Sequence, residues 1–334
     1  MPRCRPRRAK QREQKRRAAE SLKDKFVRDG TQGDIVIPLM GPTGAGKSTF
    51  INAVLGDQGE RMPVGRKLTS CTAHIDWAVV DPKVIRLPPG FEHCRVIMVD
   101  TPGFDDTYEG DADILRRIAQ WLETSYRNQE SVLAGVIYLH DISHDRFSGT
   151  ARRNLEMFKH LCGNPALSKV VLGTTKWERL VGVEGEEREH ELIKDHWRSV
   201  IDAGAQVRRF LNTPKSAREF VEDVLARHAK NTLEGAVLEI QEELVVDRKI
   251  IPETEAGREL RYTLKEVLEM QKQMAALEAD IAKAGDSDAK VRLEETRKKL
   301  RGISEALNDL KIPFVRRILT MFRCECSNDC RNFV

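Results

Sequence analysis

Short apolar runs alternate with amphipathic stretches over the first two thirds of the chain. The runs are DIVIPLM (34–40), AHIDWAVV (73–80), HCRVIMVD (93–100), VLAGVIYLH (132–140) and KVVLGTT (169–175). Each is short, rich in Val, Ile or Leu, and bounded by turn-forming or polar residues, which is how buried strands read. AQVRRFL (205–211) is a weaker sixth run. The second and third flank a loop with Pro88, Pro89 and Gly90, so they are expected to form a hairpin or lie close to one. Between the runs, helical patterns fall at 47–56, 110–127, 150–162, 186–202 and 216–230. Alternation of this kind predicts an α/β fold: a doubly wound, mostly parallel sheet flanked by helices with right-handed crossovers.

The pattern changes near residue 231. From there to 311 the chain is rich in Glu, Lys, Leu and Ala, and apolar or small residues recur at 270, 274, 277, 281 and 284, then at 293, 300, 303, 307 and 310. Gaps of mostly three, four and seven are the mark of a coiled coil. Gly285-Asp286-Ser287-Asp288 interrupts the pattern, which leaves a helical hairpin and one long rod both open. Four parts are expected: a basic arm (1–29), an α/β domain (30–230), a C-terminal α-helical coiled-coil arm (231–311) and a Cys-containing tail (312–334).

Composition refines this outline. In 334 residues, 40% are hydrophobic, 32% charged and only 6% aromatic, which fits one real core with a helix-rich, well-solvated remainder. The net charge of +4 is unevenly placed. Residues 1–28 hold twelve Lys or Arg against three Asp or Glu, so the body is mildly acidic. Electrostatics alone would draw the arm to nucleic acid, an anionic membrane or a nuclear-import receptor; a plain solubilising tail is the simpler use. Seven scattered Cys suit a reducing compartment better than a disulfide framework. No apolar run nears the ~20 residues needed to span a bilayer, and the N-terminus lacks the apolar segment of a secretory signal. The expectation is an intracellular protein without a transmembrane segment, cytoplasmic, with a nuclear placement left open by the basic arm.

The chemistry begins where the first run ends. Gly41-Pro42-Thr43-Gly44-Ala45-Gly46-Lys47-Ser48, followed by Thr49, fits G-x-x-x-x-G-K-[ST] between a predicted strand and a predicted helix. Glycines let backbone N–H groups curl around phosphates, and the new helix adds its positive end. Lys47 is assigned to the β- and γ-phosphates and Ser48 to Mg²⁺. The fold expectation thus narrows to a P-loop nucleotide-binding domain. Val99-Asp100-Thr101-Pro102-Gly103 closes the third run, where an Asp that binds Mg²⁺ through water belongs. The Gly103 N–H is placed to sense a γ-phosphate. In Leu68-Thr69-Ser70-Cys71-Thr72, a hydroxyl could join the metal while the γ-phosphate is present; Thr72 is preferred over Thr69 and Ser70, and a simple capping role is the alternative.

Thr174-Thr175-Lys176-Trp177-Glu178 ends the fifth run. A T-K-x-[DE] pattern there offers a carboxylate to guanine N1–H and N2–H₂, with the Lys stem packed on the ring. Glu178 stands where Asp is usual, one methylene longer. Ser216-Ala217 is the candidate for a backbone N–H to the guanine O6.

In this order, the P-loop, S-x-T, D-T-P-G and T-K-x-[DE] motifs resemble the septin-like branch of P-loop GTPases. More narrowly, the chain is similar to the immune-associated, or avirulence-induced, nucleotide-binding GTPases and their fungal relatives. Leu139-His140-Asp141-Ile142-Ser143-His144-Asp145-Arg146-Phe147-Ser148, with its following helix to Gly163, looks like that family's arginine-phenylalanine-threonine box. The resemblance covers about 34–225. It implies a GTP/GDP switch with Mg²⁺ that pairs G domain to G domain when loaded. Phe104 takes the place where small GTPases carry a water-orienting Gln, so slow or stimulated hydrolysis is implied. Arg146 is an arginine-finger candidate, with a salt-bridged surface Arg as the alternative; His140 and His144 are candidates to orient water.

The tail, IPFVRRILTMFRCECSNDC, mixes apolar residues with Arg and carries Cys324, Cys326 and Cys330. Membrane contact through acylated Cys and a weak zinc site are both conceivable; a docking segment or a plain chain end is preferred. The sequence as a whole reads as a guanine-nucleotide switch that hydrolyses GTP slowly, working as a homodimer or through a coiled-coil partner. A hydrolysis-deficient scaffold and a P-loop ATPase or kinase stay open.

Overall fold

The computed structural model describes residues 33–56, 62, 75–103, 111–128, 131–180, 183–230, 236–283 and 287–313. Seven strands form one sheet: β1 (Asp34–Met40), β2 (Asp76–Val80), β3 (Arg95–Asp100), β4 (Ser131–Leu133), β5 (Val136–Asp141), β6 (Val170–Thr175) and β7 (Gln206–Arg209). Their order is β2-β3-β1-β5-β6-β7, with β4 pairing β1 off that path. Every pairing is parallel except β2 with β3, which run antiparallel with Trp77 opposite Val99. The expected hairpin is therefore present. Strands β5 and β6 are buried throughout and β1 nearly so, as interior parallel strands covered on both faces must be. Edge strand β7 is short and half-exposed, and it carries Arg208 and Arg209, which blunts it against further pairing.

Helices cover both faces: α1 (Lys47–Leu55), α2 (Asp111–Asn128), α3 (Gly149–Cys162), α4 (Glu184–Glu191), α5 (Arg198–Asp202) and α6 (Pro214–Lys230). On one face α1 and α6 pack together, with Phe50 edge-on to Phe210 at 5.0 Å and to Phe220 at 5.2 Å. On the other, Leu115, Ile118 and Leu122 of α2 and Leu155 and Phe158 of α3 share one apolar cluster with Tyr138 of β5.

Three expected elements take a different form. The run 132–140 is two strands, broken at Ala134-Gly135, because the chain passes so close to Lys169 that a Cβ at Gly135 would lie 2.5 Å from its carbonyl oxygen. The predicted helix 186–202 is interrupted by a π turn, Leu192–His196. There Trp197 N–H donates to Leu192 O at 2.7 Å, and the extra residue in the turn accompanies full burial of the Trp197 ring. From 236 to 254 the chain forms short turns rather than a continuous helix, with Pro252 in one of them. Regular helix resumes at α7 (Glu255–Lys283), where the Thr254 hydroxyl accepts from Gly257 N–H at 3.0 Å as an N-cap.

Helices α7 and α8 (Ser287–Asp309) form a hairpin, with Thr296 donating to Glu278 across it at 3.1 Å. The choice between rod and hairpin is thereby made. The hairpin's base does not hang free. Leu260, Leu264 and Val267 of α7, Ile303 and Ala306 of α8, and Leu310 just after it join the same apolar cluster as α2 and α3. Its distal half differs: Met270, Met274, Leu277 and Ile281 form an exposed stripe. Among the described residues, no helix is long and apolar enough to cross a membrane.

Candidate nucleotide site

Parallel pairing brings the C-terminal ends of β1, β3, β5 and β6 to one edge of the sheet, with Leu39 opposite Asp100 and Asp141 opposite Thr175. In open parallel sheets that edge is where ligands bind. The loop leaving β1 there needs its glycines. Gly41, Gly44 and Gly46 take φ of 136°, 81° and 88°, which L side chains rarely adopt. A Cβ at Gly41 would also lie 2.2 Å from Leu139 O, whereas one at Gly44 would meet nothing within 4 Å. The loop is thus pressed onto β5 at its start and open in its middle.

Lys47 opens α1 and folds back over the loop, its Nζ donating to Gly41 O at 2.9 Å and Pro42 O at 3.0 Å. Burial pushes its pKa down to about 8, against the pull of Asp100. Ser48 Oγ donates to Asp100 Oδ2 at 2.5 Å, while Asp100 Oδ1 is buried without a partner. Burial raises the Asp100 carboxyl, opposed by the Ser48 hydrogen bond and by Lys47. A hydroxyl and a carboxylate with an unused oxygen are hard donors suited to Mg²⁺, so the residues present fit that ion.

Gly103 packs straight against the P-loop: a Cβ on it would lie 2.4 Å from Thr43 N and 2.8 Å from Gly41 O. Thr43 Oγ1 donates to Gly103 O at 3.2 Å, and Thr101 Oγ1 to Leu39 O at 2.6 Å. The P-loop and the loop leaving β3 therefore touch. Thr49 lies half-buried in the first turn of α1. Thr69, Ser70, Thr72 and Phe104, the basic arm and the three tail Cys lie outside the described residues.

At the other end of the site, Thr175 Oγ1 donates to Ala45 O at 2.9 Å and ties β6 to the P-loop. Lys176 is left-handed at φ 62°, and its Nζ meets Asp141 Oδ2 at 2.5 Å. Burial would lift the Asp141 carboxyl, but hydrogen bonds from Lys176 and Ser143 outweigh it and hold the pKa below the usual range. Glu178 is exposed, and its carboxylate has no partner among the described residues. Ser216 behaves differently from expectation. Its N–H donates to Thr213 Oγ1 at 3.2 Å and its hydroxyl accepts from Leu211 N–H, also at 3.2 Å, so both groups are engaged in the turn that starts α6. Asn212, exposed in the same loop, sits at φ 55°, a left-handed conformation that Asn tolerates.

Three further residues brought to this end were not candidates: Asp141, Glu189 and Arg209. Trp177 Nε1 donates to Thr174 Oγ1 at 3.0 Å, and Thr174 Oγ1 donates to the buried Glu189 Oε1 at 3.2 Å. Arg209 Nε donates to Glu189 Oε2 at 2.7 Å, with its guanidinium carbon 4.4 Å from the centre of the Trp177 ring. Of the residues in the loop after β5, Arg146 is exposed and makes no ion pair with a described residue. His144 is exposed, 3.3 Å from Asp141. His140 is buried against Phe147 and Trp197, and burial lowers its pKa to about 4.

A glycine loop closed by a buried Lys, a Ser–Asp pair at its foot and a second loop resting on it, at the C-terminal edge of a mostly parallel sheet, define the α/β P-loop GTPase fold. In agreement, residues 36–176 match the family model described as 50S ribosome-binding GTPase. Solved structures with a similar fold include Toc33 from Arabidopsis thaliana in complex with Mg²⁺ and GMPPNP, at 14% identity over 65% of this chain and 93% of that one, TM-score 0.43. A second comes from work on dimerisation and GTPase activity of the chloroplast translocon components atToc33 and psToc159, at 13% identity over 66% and 94%, TM-score 0.45. A third is Era from Aquifex aeolicus bound to GDP·AlF4⁻, at 16% identity over 59% and 57%, TM-score 0.38. No curated protein matches the sequence.

Proposed function

We propose that this protein is a guanine-nucleotide switch that binds GTP and GDP with Mg²⁺ and hydrolyses GTP slowly to GDP and phosphate. The observation that carries the reading is the P-loop foot: Ser48 bonded to Asp100, with Asp100 Oδ1 buried, unpartnered and close enough to Lys47 to shift its pKa. Ser48, Asp100 and, from the sequence, Thr72 would hold the ion. Bound there, a divalent cation neutralises charge on β- and γ-phosphate oxygens. Lys47 would add its own charge on the phosphates, and the contact of Gly103 with the P-loop supports its N–H as the group that would register a γ-phosphate. The free carboxylate of Glu178, next to a left-handed Lys176, supports a guanine base.

Hydrolysis is slow in this reading because the apolar ring of Phe104 cannot orient water. Exposed Arg146, with no ion pair among described residues, is the group we assign to a second copy's active site, so pairing of G domains raises turnover. The loop that carries it supports kinship with the septin-like, immune-associated GTPases. Phe104 equally favours a second reading, in which bound GTP is a structural ligand and the hairpin does the work.

The test is release of nucleotide from purified, denatured protein with chromatography of what comes off, beside GTP and ATP titration of the apo form. Recovered GDP or GTP and a clear GTP preference are expected. Lys47→Ala should weaken GTP binding at least about tenfold, or ~1.4 kcal/mol. Unchanged affinity in that variant would remove the site assignment, and tightly held GTP without turnover would select the scaffold reading.

A further inference from the structure

The geometry points to Arg209 as a positioning residue for base selectivity, acting on Glu178 through Trp177. The inference rests on the guanine reading above and deepens it. Glu178 is exposed, so nothing in its own surroundings fixes where its carboxylate stands. Only the backbone of Lys176-Trp177-Glu178 can do so, and that loop is pinned at two points. At one side Asp141 holds only the far end of the Lys176 side chain, its Nζ, and so fixes that stem more than the backbone beyond it. At the other, four side chains close a ring: Trp177 donates to Thr174, Thr174 donates to Glu189, Arg209 donates to Glu189, and the Arg209 guanidinium lies over the Trp177 ring.

Each member has a reason to stay. Thr174 is fully buried in β6 and Glu189 nearly so in α4, which makes the Glu189 carboxylate costly without its guanidinium. Its hydrogen bond to Glu189 is the largest influence raising the Arg209 pKa, as expected of a committed ion pair. Gly185 of α4 lets the indole come close: a Cβ there would lie 2.7 Å from the Trp177 ring. A planar guanidinium over an indole is also a favourable cation–π contact. The ring joins three elements, β6, α4 and β7, around one loop residue. Its rigidity is passed to the neighbour of Trp177, the residue that would read the base. A carboxylate accepting from two guanine groups at once needs such fixing. The hydrogen bonds that shape the P-loop and its Ser48–Asp100 foot do not involve this ring.

The expected signature is therefore selectivity rather than affinity in general. In purified full-length protein with Mg²⁺, GDP and ADP dissociation constants are measured by calorimetry, together with the unfolding midpoint of each variant. Arg209→Ala should lower the GDP-to-ADP preference about tenfold by weakening GDP while leaving ADP binding unchanged; Arg209→Lys, which keeps the charge and loses the planar stack, should fall between. Trp177→Phe keeps an aromatic face for the guanidinium but loses the N–H and part of the indole, giving a smaller loss of preference, with the unfolding midpoint reporting the packing lost. Glu178→Ala is the control and should abolish the preference. A collapsed preference in Glu178→Ala with an unchanged one in Arg209→Ala and Trp177→Phe overturns the positioning role and leaves the guanine reading intact. Equal losses for GDP and ADP in Arg209→Ala overturn it as well, since that is what a merely structural role would give. No effect of Glu178→Ala sinks the guanine reading, and this inference with it.

Discussion

On the phosphate side of the site, three glycines at positive φ, two carbonyls on Lys47 and a Gly103 that touches the P-loop backbone set the geometry. On the base side, an exposed Glu178 depends on side chains that arrive from β5, α4 and β7. One half is shaped by main chain, which tolerates little change at a few positions. The other is shaped by side-chain networks, which can be retuned one residue at a time. A nucleotide site built this way can keep its phosphate chemistry while its base preference drifts, and Glu178 in place of the usual Asp is a sign of such latitude.

The comparison breaks most readily at Gly41. Ala there combines a φ of 136° with a Cβ 2.2 Å from Leu139 O, so a loss of about 4 kcal/mol or more in stability is expected. Gly44→Ala meets no neighbour within 4 Å and should cost only the ~1–2 kcal/mol of a left-handed non-glycine. Urea unfolding of both variants measures the difference. Similar costs would mean that backbone contact with β5 does not fix the phosphate side.

Acid stability gives a somewhat smaller effect and concerns two buried histidines outside the loops of the site. His140 in β5 and His228 in α6 are buried, each with an unpartnered Nδ1 and a pKa lowered by burial to about 4. Above pH ~6.5 both folded and unfolded forms are neutral and the rings add no pH dependence. Below it the unfolded chain takes up protons first, so stability falls as pH drops from ~6.5 to ~4, by up to about 3 kcal/mol per histidine, and then levels. His228→Phe, which removes one titrating ring packed against Phe91, should flatten roughly half of that slope in thermal unfolding scans. An unaltered slope would assign the acid loss elsewhere.

What the sequence made legible follows the same division. The P-loop glycines, Lys47, Ser48 and the Asp100-Gly103 turn were readable because backbone geometry demands specific residues at fixed spacing. The interior strands, though not their order, were readable because parallel strands covered on both faces must be apolar throughout. Glu189 and Arg209 were not, since a buried carboxylate on one helix and an Arg on an edge strand become partners only once β6 and β7 are paired. The break in 186–202 escaped for a similar reason: a π turn exists to bury Trp197, and helical periodicity holds no record of that. The heptad spacing beyond residue 255 indicated the two helices but not that their base, through Leu264 and Ile303, belongs to the core under α2 and α3.

The smallest expected effect is also the one that sharpens the contrast within the base side. Asp141 holds Lys176, whose stem would lie on a purine whatever its substituents, whereas Arg209 is proposed to act on the residue that would read those substituents. Asp141→Asn keeps the side-chain shape and removes the charge opposite Lys176 Nζ, a pair whose carbonyl-side neighbours, Ser143 N–H and hydroxyl, can still bond to an amide oxygen. Loosening the stem should then weaken GDP and ADP binding by the same factor, about threefold. The preference between the two bases should not move. Calorimetry on the same protein used for Arg209→Ala gives both numbers. A changed preference in Asp141→Asn would show that the two anchors of the loop are one network, and that stacking and edge recognition are set together rather than separately.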